Sequence, residues 1–273
     1  MSILQAIILG IIQGLTEFLP VSSSAHLVLV PFLLGWNIPP EQAFVFDVLV
    51  QLGTLLAVFV YFWKDLLAII SGFIRALLSG KPFGDPQARM GWYLILATIP
   101  AGIFGILIKD QVEQAFSSPI LTAVFLYVTA ALLVISERVG KRTRPIESMC
   151  WKDALWIGTA QAISIFPGVS RSGSTIAGGI SRDLERPAAA RFAFLMSVPI
   201  MLAAGLLASL DMAEIPDLVS FLPMVAVGFI AAAVVGYLAI RWLIAYLMRH
   251  SLKSFALYCI VIATVTLLVS ALG

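Results

Sequence analysis

Charge is the scarcest property of this 273-residue sequence. Only 12% of its residues are Asp, Glu, Lys or Arg, against about 25% in soluble domains. Set beside a 60% hydrophobic composition and a mean hydropathy of +1.02, that shortage argues against a soluble enzyme and for a polytopic membrane protein. Cysteine is nearly absent as well. Cys150 and Cys259 lack disulfide or metal-ligand spacing and read as packed or membrane-facing residues. The N-terminus has no basic region ahead of its apolar run, so no removable signal peptide is expected. A net charge of +2 adds little, and the basic loops need no nucleic-acid partner to explain them.

Long apolar runs are what the chain does have. Six stretches, about 46–63, 91–108, 119–136, 192–209, 221–240 and 254–271, are long enough to span a bilayer. Two more are apolar but interrupted. Residues 1–35 carry Gln13, Glu17, Pro20, Ser22, Ser23, Ser24 and His26; residues 154–181 carry Gln161, Pro167 and a Ser-Arg-Ser turn. Each half of an interrupted segment is too short to cross alone. The expected form is a re-entrant pair of half-helices whose broken backbone lines a protected cavity.

The interrupted segments resemble each other. With Gln13 laid on Gln161, Phe18 falls on Phe166, Val21 on Val169, Ser22 on Ser170, Ser23 on Arg171 and Ser24 on Ser172. The chain thus reads as one membrane domain built by duplication, roughly 1–140 and 150–273. Each half holds one hairpin and three spans. Three is odd, so the second half is expected upside down relative to the first, an all-α inverted-topology repeat of six transmembrane helices and two hairpins. Tracing the chain through this arrangement puts all but two of the 17 Lys and Arg on the face opposite the N-terminus; the exceptions are Lys109 and Arg171. By the positive-inside rule that face is cytoplasmic and both termini lie outside.

The polar residues inside the hairpins carry the chemical expectations. Arg171 stands in Pro167-Gly168-Val169-Ser170-Arg171-Ser172-Gly173-Ser174-Thr175, and an arginine at membrane depth costs at least about 2.5–3.5 kcal/mol unless it faces a cavity, partner or ligand. Small hydroxyl residues and glycines beside it suit an anion: Ser170, Ser172, Ser174, Thr175 and Ser22 as hydroxyl donors, Gly173 within the turn, and a half-helix N-terminus behind them. The alternative is a helix break with an internally paired arginine. Gln13 and Glu17 are four apart and share a helix face. Glu17 is read as a metal ligand, a proton-transfer group or the countercharge of Arg171. Among the three serines at least one should cap a half-helix, while Ser23 and His26, three apart, offer a nucleophile and a base. Asp47 is an interfacial acid that could add a second carboxylate to a cation. Gly178-Gly179 permits close helix approach, within one subunit or in a homodimer.

Two of these stretches resemble a known family. Gln13-Gly-Leu-Thr-Glu17-Phe-Leu-Pro-Val-Ser-Ser-Ser-Ala-His26 looks like the first signature of the integral-membrane undecaprenyl-diphosphatases of the UppP/BacA type, and Pro167–Thr175 looks like the second. Position 13 is Gln where some members have Glu, which makes Glu17 the more important carboxylate. The resemblance implies conversion of undecaprenyl diphosphate to undecaprenyl phosphate, the recycling of the peptidoglycan lipid carrier, and a link to bacitracin resistance. It also implies a divalent cation, Mg2+ or Ca2+, and a site open to the outer face of the bacterial inner membrane.

The expected mechanism has Arg171 and the Ser170–Thr175 turn holding the phosphates, Glu17 with Gln13 placing the cation, Ser23 attacking the terminal phosphorus and His26 moving protons. Attack by water activated by His26 or Glu17 fits the same residues. A lipid-phosphate transporter is the alternative from another class, since paired hairpins meeting at mid-membrane are also a transporter architecture. A purely structural role is disfavoured by the polar content of both hairpins.

Overall fold

In the computed structural model, which describes residues 1–116, 118–211 and 218–272, the chain is helical throughout. In order the helices are α1 (Ile3–Phe18), α2 (Ser23–Leu33), α3 (Pro40–Tyr61), α4 (Trp63–Leu78), α5 (Pro86–Leu107), α6 (Lys109–Phe116), α7 (Pro119–Val139), α8 (Trp151–Ile163), α9 (Arg171–Ser181), α10 (Arg186–Asp211), α11 (Leu218–Leu247) and α12 (Lys253–Leu272). Among the described residues there is no strand, only an isolated bridge between Arg144 and Leu184. Among the described residues five helices, in α5, α7, α10, α11 and α12, are long and apolar enough to cross a membrane alone. The sixth expected span belongs to α3, whose Val45–Tyr61 segment meets α4 at an 80° bend, so that the pair counts as one further candidate.

Helix α4 falls where the sequence reading placed only a basic loop. Its Leu66, Ile69, Gly72 and Ala76 are buried at helical spacing, while Lys64 and Arg75 stay exposed. The apolar face rests on α5.

Both interrupted segments break where the sequence loses helix-compatible residues. Between α1 and α2 the chain passes Pro20 and reaches Ser22 at φ 70°; the Ser22 hydroxyl then caps α2 by accepting from the Ala25 N–H at 3.3 Å. Between α8 and α9 the turn passes Gly168 at φ 99°, a left-handed conformation in which a side chain would also strike the Thr122 carbonyl and lie 2.7 Å from Phe125 Cβ. Ser170 caps α9, accepting from the Gly173 N–H at 3.0 Å. Thr129 on α7 secures this turn twice, donating to the Gly168 carbonyl at 2.7 Å and accepting from the Ser170 N–H at 2.9 Å.

The helices around the breaks approach closely. α1 packs chiefly on α11 and α8 on α5. A Cβ on Gly10 would collide with the Gly228 carbonyl, and one on Gly158 with the Ala97 carbonyl. Gly178 and Gly179 do the same within the subunit. Gly178 faces Ala160 and Ile157, and Gly179 faces Ala189, so the approach these glycines allow is used by α8 and α10 of the same chain.

At the basic face, two buried carboxylates gather the loops. Glu137 accepts from Arg186 at 2.6 and 2.7 Å, from Arg142 at 3.2 Å and from the Leu252 N–H at 2.9 Å. Asp153, with a fully buried side chain, accepts from Arg144 at 2.7 Å, Arg182 at 2.9 Å and the Cys150 N–H at 3.0 Å. Burial works to raise the Asp153 pKa, but these hydrogen bonds outweigh it and hold the carboxyl well below the usual carboxylate range. Four arginines read from sequence only as topology signals therefore also neutralise buried acids.

Candidate active site

The two helix breaks meet through Glu17. This carboxylate lies in the last turn of α1, with 6% of the residue exposed. Gln13, one turn earlier, donates from Nε2 to Glu17 Oε2 at 2.8 Å, and the Ser23 hydroxyl donates to the same oxygen at 2.5 Å. The other oxygen, Oε1, receives an NH2 donor of Arg171 from the second break. The countercharge expected for Arg171 is thus present. A second tie joins the breaks: Ser172 donates to the Leu19 carbonyl at 2.9 Å. The same Arg171 nitrogen lies 3.2 Å from Met201 Sδ on α10. Removing Arg171 would strand the buried Glu17 carboxylate without its countercharge, which is strongly destabilising.

Most of the expected phosphate-binding hydroxyls are already engaged in building the turns. Ser22 and Ser170 cap their helices; Ser22 also pairs with Ser24 and Ser170 with Ser172, each at 3.1 Å. Thr175 donates back to the Arg171 carbonyl at 2.8 Å. Gly173 contributes the N–H that Ser170 caps. Ser174 differs: its hydroxyl is buried with no hydrogen-bond partner. What remains open is backbone. Among the described residues the N–H groups of Arg171 and Ser172 at the start of α9 have no acceptor, nor have those of Ser23 and Ser24 at the start of α2. Two half-helix N-termini with free donors, beside a guanidinium, form a setting for an anion.

His26 lies one turn along α2 and is 6% exposed. The structure gives its ring nitrogens other partners than Ser23: Nδ1 is 2.7 Å from the Ser22 carbonyl and Nε2 is 2.7 Å from the Tyr258 hydroxyl. Ser23 is taken by Glu17 instead. Tyr258 escaped the sequence reading, because it comes 232 residues after His26 and belongs to no motif. Asp47 is half-buried on α3 and makes no hydrogen bond or ion pair among the described residues.

For a cation, the donor set is small but of the right kind. Among the described residues no three His, Cys, Asp or Glu side chains cluster. Gln13 Oε1, however, is buried without a hydrogen-bond partner beside the Glu17 carboxylate. An orphaned amide oxygen next to a carboxylate suits a hard divalent ion that takes its remaining oxygens from phosphate and water, as Mg2+ commonly does.

Comparison with known proteins identifies the family. A family model described as Bacitracin resistance protein BacA matches residues 6–265. The chain is 43% identical to an undecaprenyl-diphosphatase of Methanosphaera stadtmanae over 279 aligned positions, covering 99% of both chains. It is 44% identical to the undecaprenyl-diphosphatase of Chlorobaculum tepidum, over 96% of this chain and 95% of that one. Identity to the undecaprenyl-diphosphatase of Moorella thermoacetica is also 44%, over 96% of each. With both helix breaks inside the matched region, the chain belongs to the BacA bacitracin resistance protein family.

Proposed function

We propose that the chain hydrolyses undecaprenyl diphosphate to undecaprenyl phosphate and inorganic phosphate, recycling the lipid carrier of peptidoglycan synthesis and so conferring bacitracin resistance. The observation that carries this reading is the Glu17 carboxylate shared by a hydroxyl, Ser23, and a guanidinium, Arg171, where two helix breaks meet. A phosphatase needs a nucleophile, a proton acceptor and a cation for the transferring phosphoryl group, and these three stand in contact.

The prenyl tail lies in an apolar groove between spans while the diphosphate enters between the N-termini of α2 and α9. Arg171 shifts from Glu17 alone to share itself with phosphoryl oxygens, and the open N–H groups at both helix starts bind the remaining ones. Ser23 attacks the terminal phosphorus, and its proton passes to Glu17 along the existing hydrogen bond. Undecaprenyl phosphate leaves. Water then cleaves the phosphoserine, with His26 moving the proton. Glu17 and Gln13 would hold Mg2+ or Ca2+, which would neutralise phosphate charge as bonds break. Asp47 lies on a neighbouring helix and joins the metal set only through water or a shifted side chain.

The site belongs to an inverted repeat of about 1–140 and 150–273, with two re-entrant hairpins. Matched features support this reading. Gly10 against α11 and Gly158 against α5 stand at corresponding positions, as do the Ser22 and Ser170 caps and their 3.1 Å serine pairs. The protein lies in the bacterial inner membrane with both termini and the site facing the periplasm, a reading supported by the basic residues of the opposite face. A C-terminal tag accessible only from the periplasm checks it. The transporter alternative draws no support from relatives named as phosphatases.

The test is product analysis with purified protein and undecaprenyl diphosphate. One orthophosphate and one undecaprenyl phosphate per substrate consumed supports the reading; intact substrate after incubation with folded protein and Mg2+ or Ca2+ overturns it.

A further inference from the structure

The His26 ring is held from both sides. Its Nδ1 lies 2.7 Å from the Ser22 backbone carbonyl, which can only accept, so Nδ1 carries the proton in this contact. The neutral ring then has a single lone pair, on Nε2, and that lone pair ends on the Tyr258 hydroxyl at 2.7 Å. The two rings are also nearly parallel, 8° apart, with centroids separated by 5.6 Å. Tyr258 sits on α12, which otherwise meets the first hairpin through a Cys259 Sγ contact to the Pro20 carbonyl at 3.8 Å.

We infer that Tyr258 is the positioning residue of His26: it fixes the plane of the imidazole and gives Nε2 a partner through proton uptake and release. The inference rests on the proposed phosphatase reading, in which His26 moves a proton. A phenol is suited to this because its hydroxyl both donates and accepts. It donates to the lone pair of neutral His26. On proton uptake the phenol passes its own proton to Nε2, takes one from the reacting water at the same oxygen, and then accepts from the imidazolium N–H; release runs the reverse way. The ring therefore keeps two hydrogen bonds in each protonation state, and neither state requires it to rotate. A carboxylate in the same place would favour only the charged ring, and a phenylalanine would leave Nε2 without a partner in a buried setting. With a residue exposure of 40%, Tyr258 could otherwise be taken for an ordinary tyrosine of a membrane-interface belt. The directed bond to His26 and the aligned rings set it apart.

Tyr258→Phe keeps the ring and removes only the hydroxyl. The expected result is a fall in kcat of about tenfold with KM within about twofold, because the lost hydrogen bond orients a proton-transfer group and does not hold substrate. In a His26→Gln background the same change should cost less than about twofold, since the group it serves is gone. The 15N spectrum of labelled histidine supplies a readout that does not depend on turnover, with His250→Gln leaving His26 as the sole signal. In Tyr258→Phe the Nε2 resonance should move while Nδ1, still bound to Ser22, stays. Wild-type kcat in Tyr258→Phe, an undiminished tenfold loss in the His26→Gln background, or an unmoved Nε2 resonance overturns the inference. Absence of phosphate release from the wild type would instead strike the phosphatase reading itself, so the two failures are distinct.

Discussion

Replacing Ser23 with alanine separates a nucleophile from a residue that only orients its neighbours. Ser23 opens α2 but does not cap it; the cap is Ser22, which accepts from the Ala25 N–H at 3.3 Å. The substitution leaves that cap intact and puts a better helix former in place, so the fold should tolerate it. Glu17 would keep Gln13 and Arg171 as partners, and no buried charge is stranded. What disappears is one hydrogen bond to a carboxylate, worth about 1.5–3 kcal/mol. Were Ser23 only holding Glu17 in place, the rate would therefore fall by about 10- to 150-fold. Loss of the attacking oxygen removes the pathway itself, and the expected fall exceeds about 1000-fold. Initial rates of orthophosphate release measure this, and acid quench of the wild type during turnover should trap phosphate on serine. A loss inside the 150-fold window, with no trapped phosphoenzyme, refutes serine attack and assigns the step to water.

Arg171→Lys preserves the charge but not the planar fork that would serve Glu17 and a phosphoryl group together, and kcat/KM should fall about 100-fold or more in the phosphate-release assay. Gly158→Leu drives a side chain into the Ala97 carbonyl, with Ala97 Cα 2.8 Å from the new Cβ. Because backbone cannot yield as a side chain can, α8 should lift from α5 and the thermal midpoint in detergent should drop by the equivalent of about 3 kcal/mol or more. Asp153 predicts a pH effect. Its folded-state pKa is depressed, so its contribution is complete above the unfolded value of about 4 and is lost as pH falls through the lower folded value. Melting curves carried from pH 7 to pH 2 should show the Asp153 contribution holding to about pH 4 and falling below it, with Asp153→Asn less stable at pH 7 and flatter below pH 4.

The two helix breaks were legible because polar groups are expensive in an apolar background. Gln13, Glu17, Arg171 and the serines stand out wherever they are placed, and Gln13 shares its register with Gln161 as Ser22 does with Ser170. Which atoms meet was not legible. Spacing put His26 within a turn of Ser23, yet the Ser23 hydroxyl turns to Glu17, because an ionised acceptor outcompetes a neutral ring. Nor does a hydroxyl's position in the sequence reveal whether its hydrogen bonds are spent on the backbone, as those of Ser170 and Thr175 are. Helix α4 was missed because Lys64, Asp65 and Arg75 make an amphipathic helix look like a loop when only long apolar runs are counted. Tyr258 and the Glu137 and Asp153 clamps depend on contacts between distant segments and leave no local pattern.

In the proposed mechanism the diphosphate is cleaved at the Glu17–Arg171 junction with help from a divalent cation. The most direct measurement is orthophosphate release from undecaprenyl diphosphate by chelator-treated protein as Mg2+ or Ca2+ is restored, with wild type, Glu17→Gln and Arg171→Ala side by side. Release should return with metal in the wild type and stay at least about 1000-fold lower in both variants while they remain folded. Full activity in chelator, or a folded Arg171→Ala protein that works as the wild type does, would contradict that mechanism.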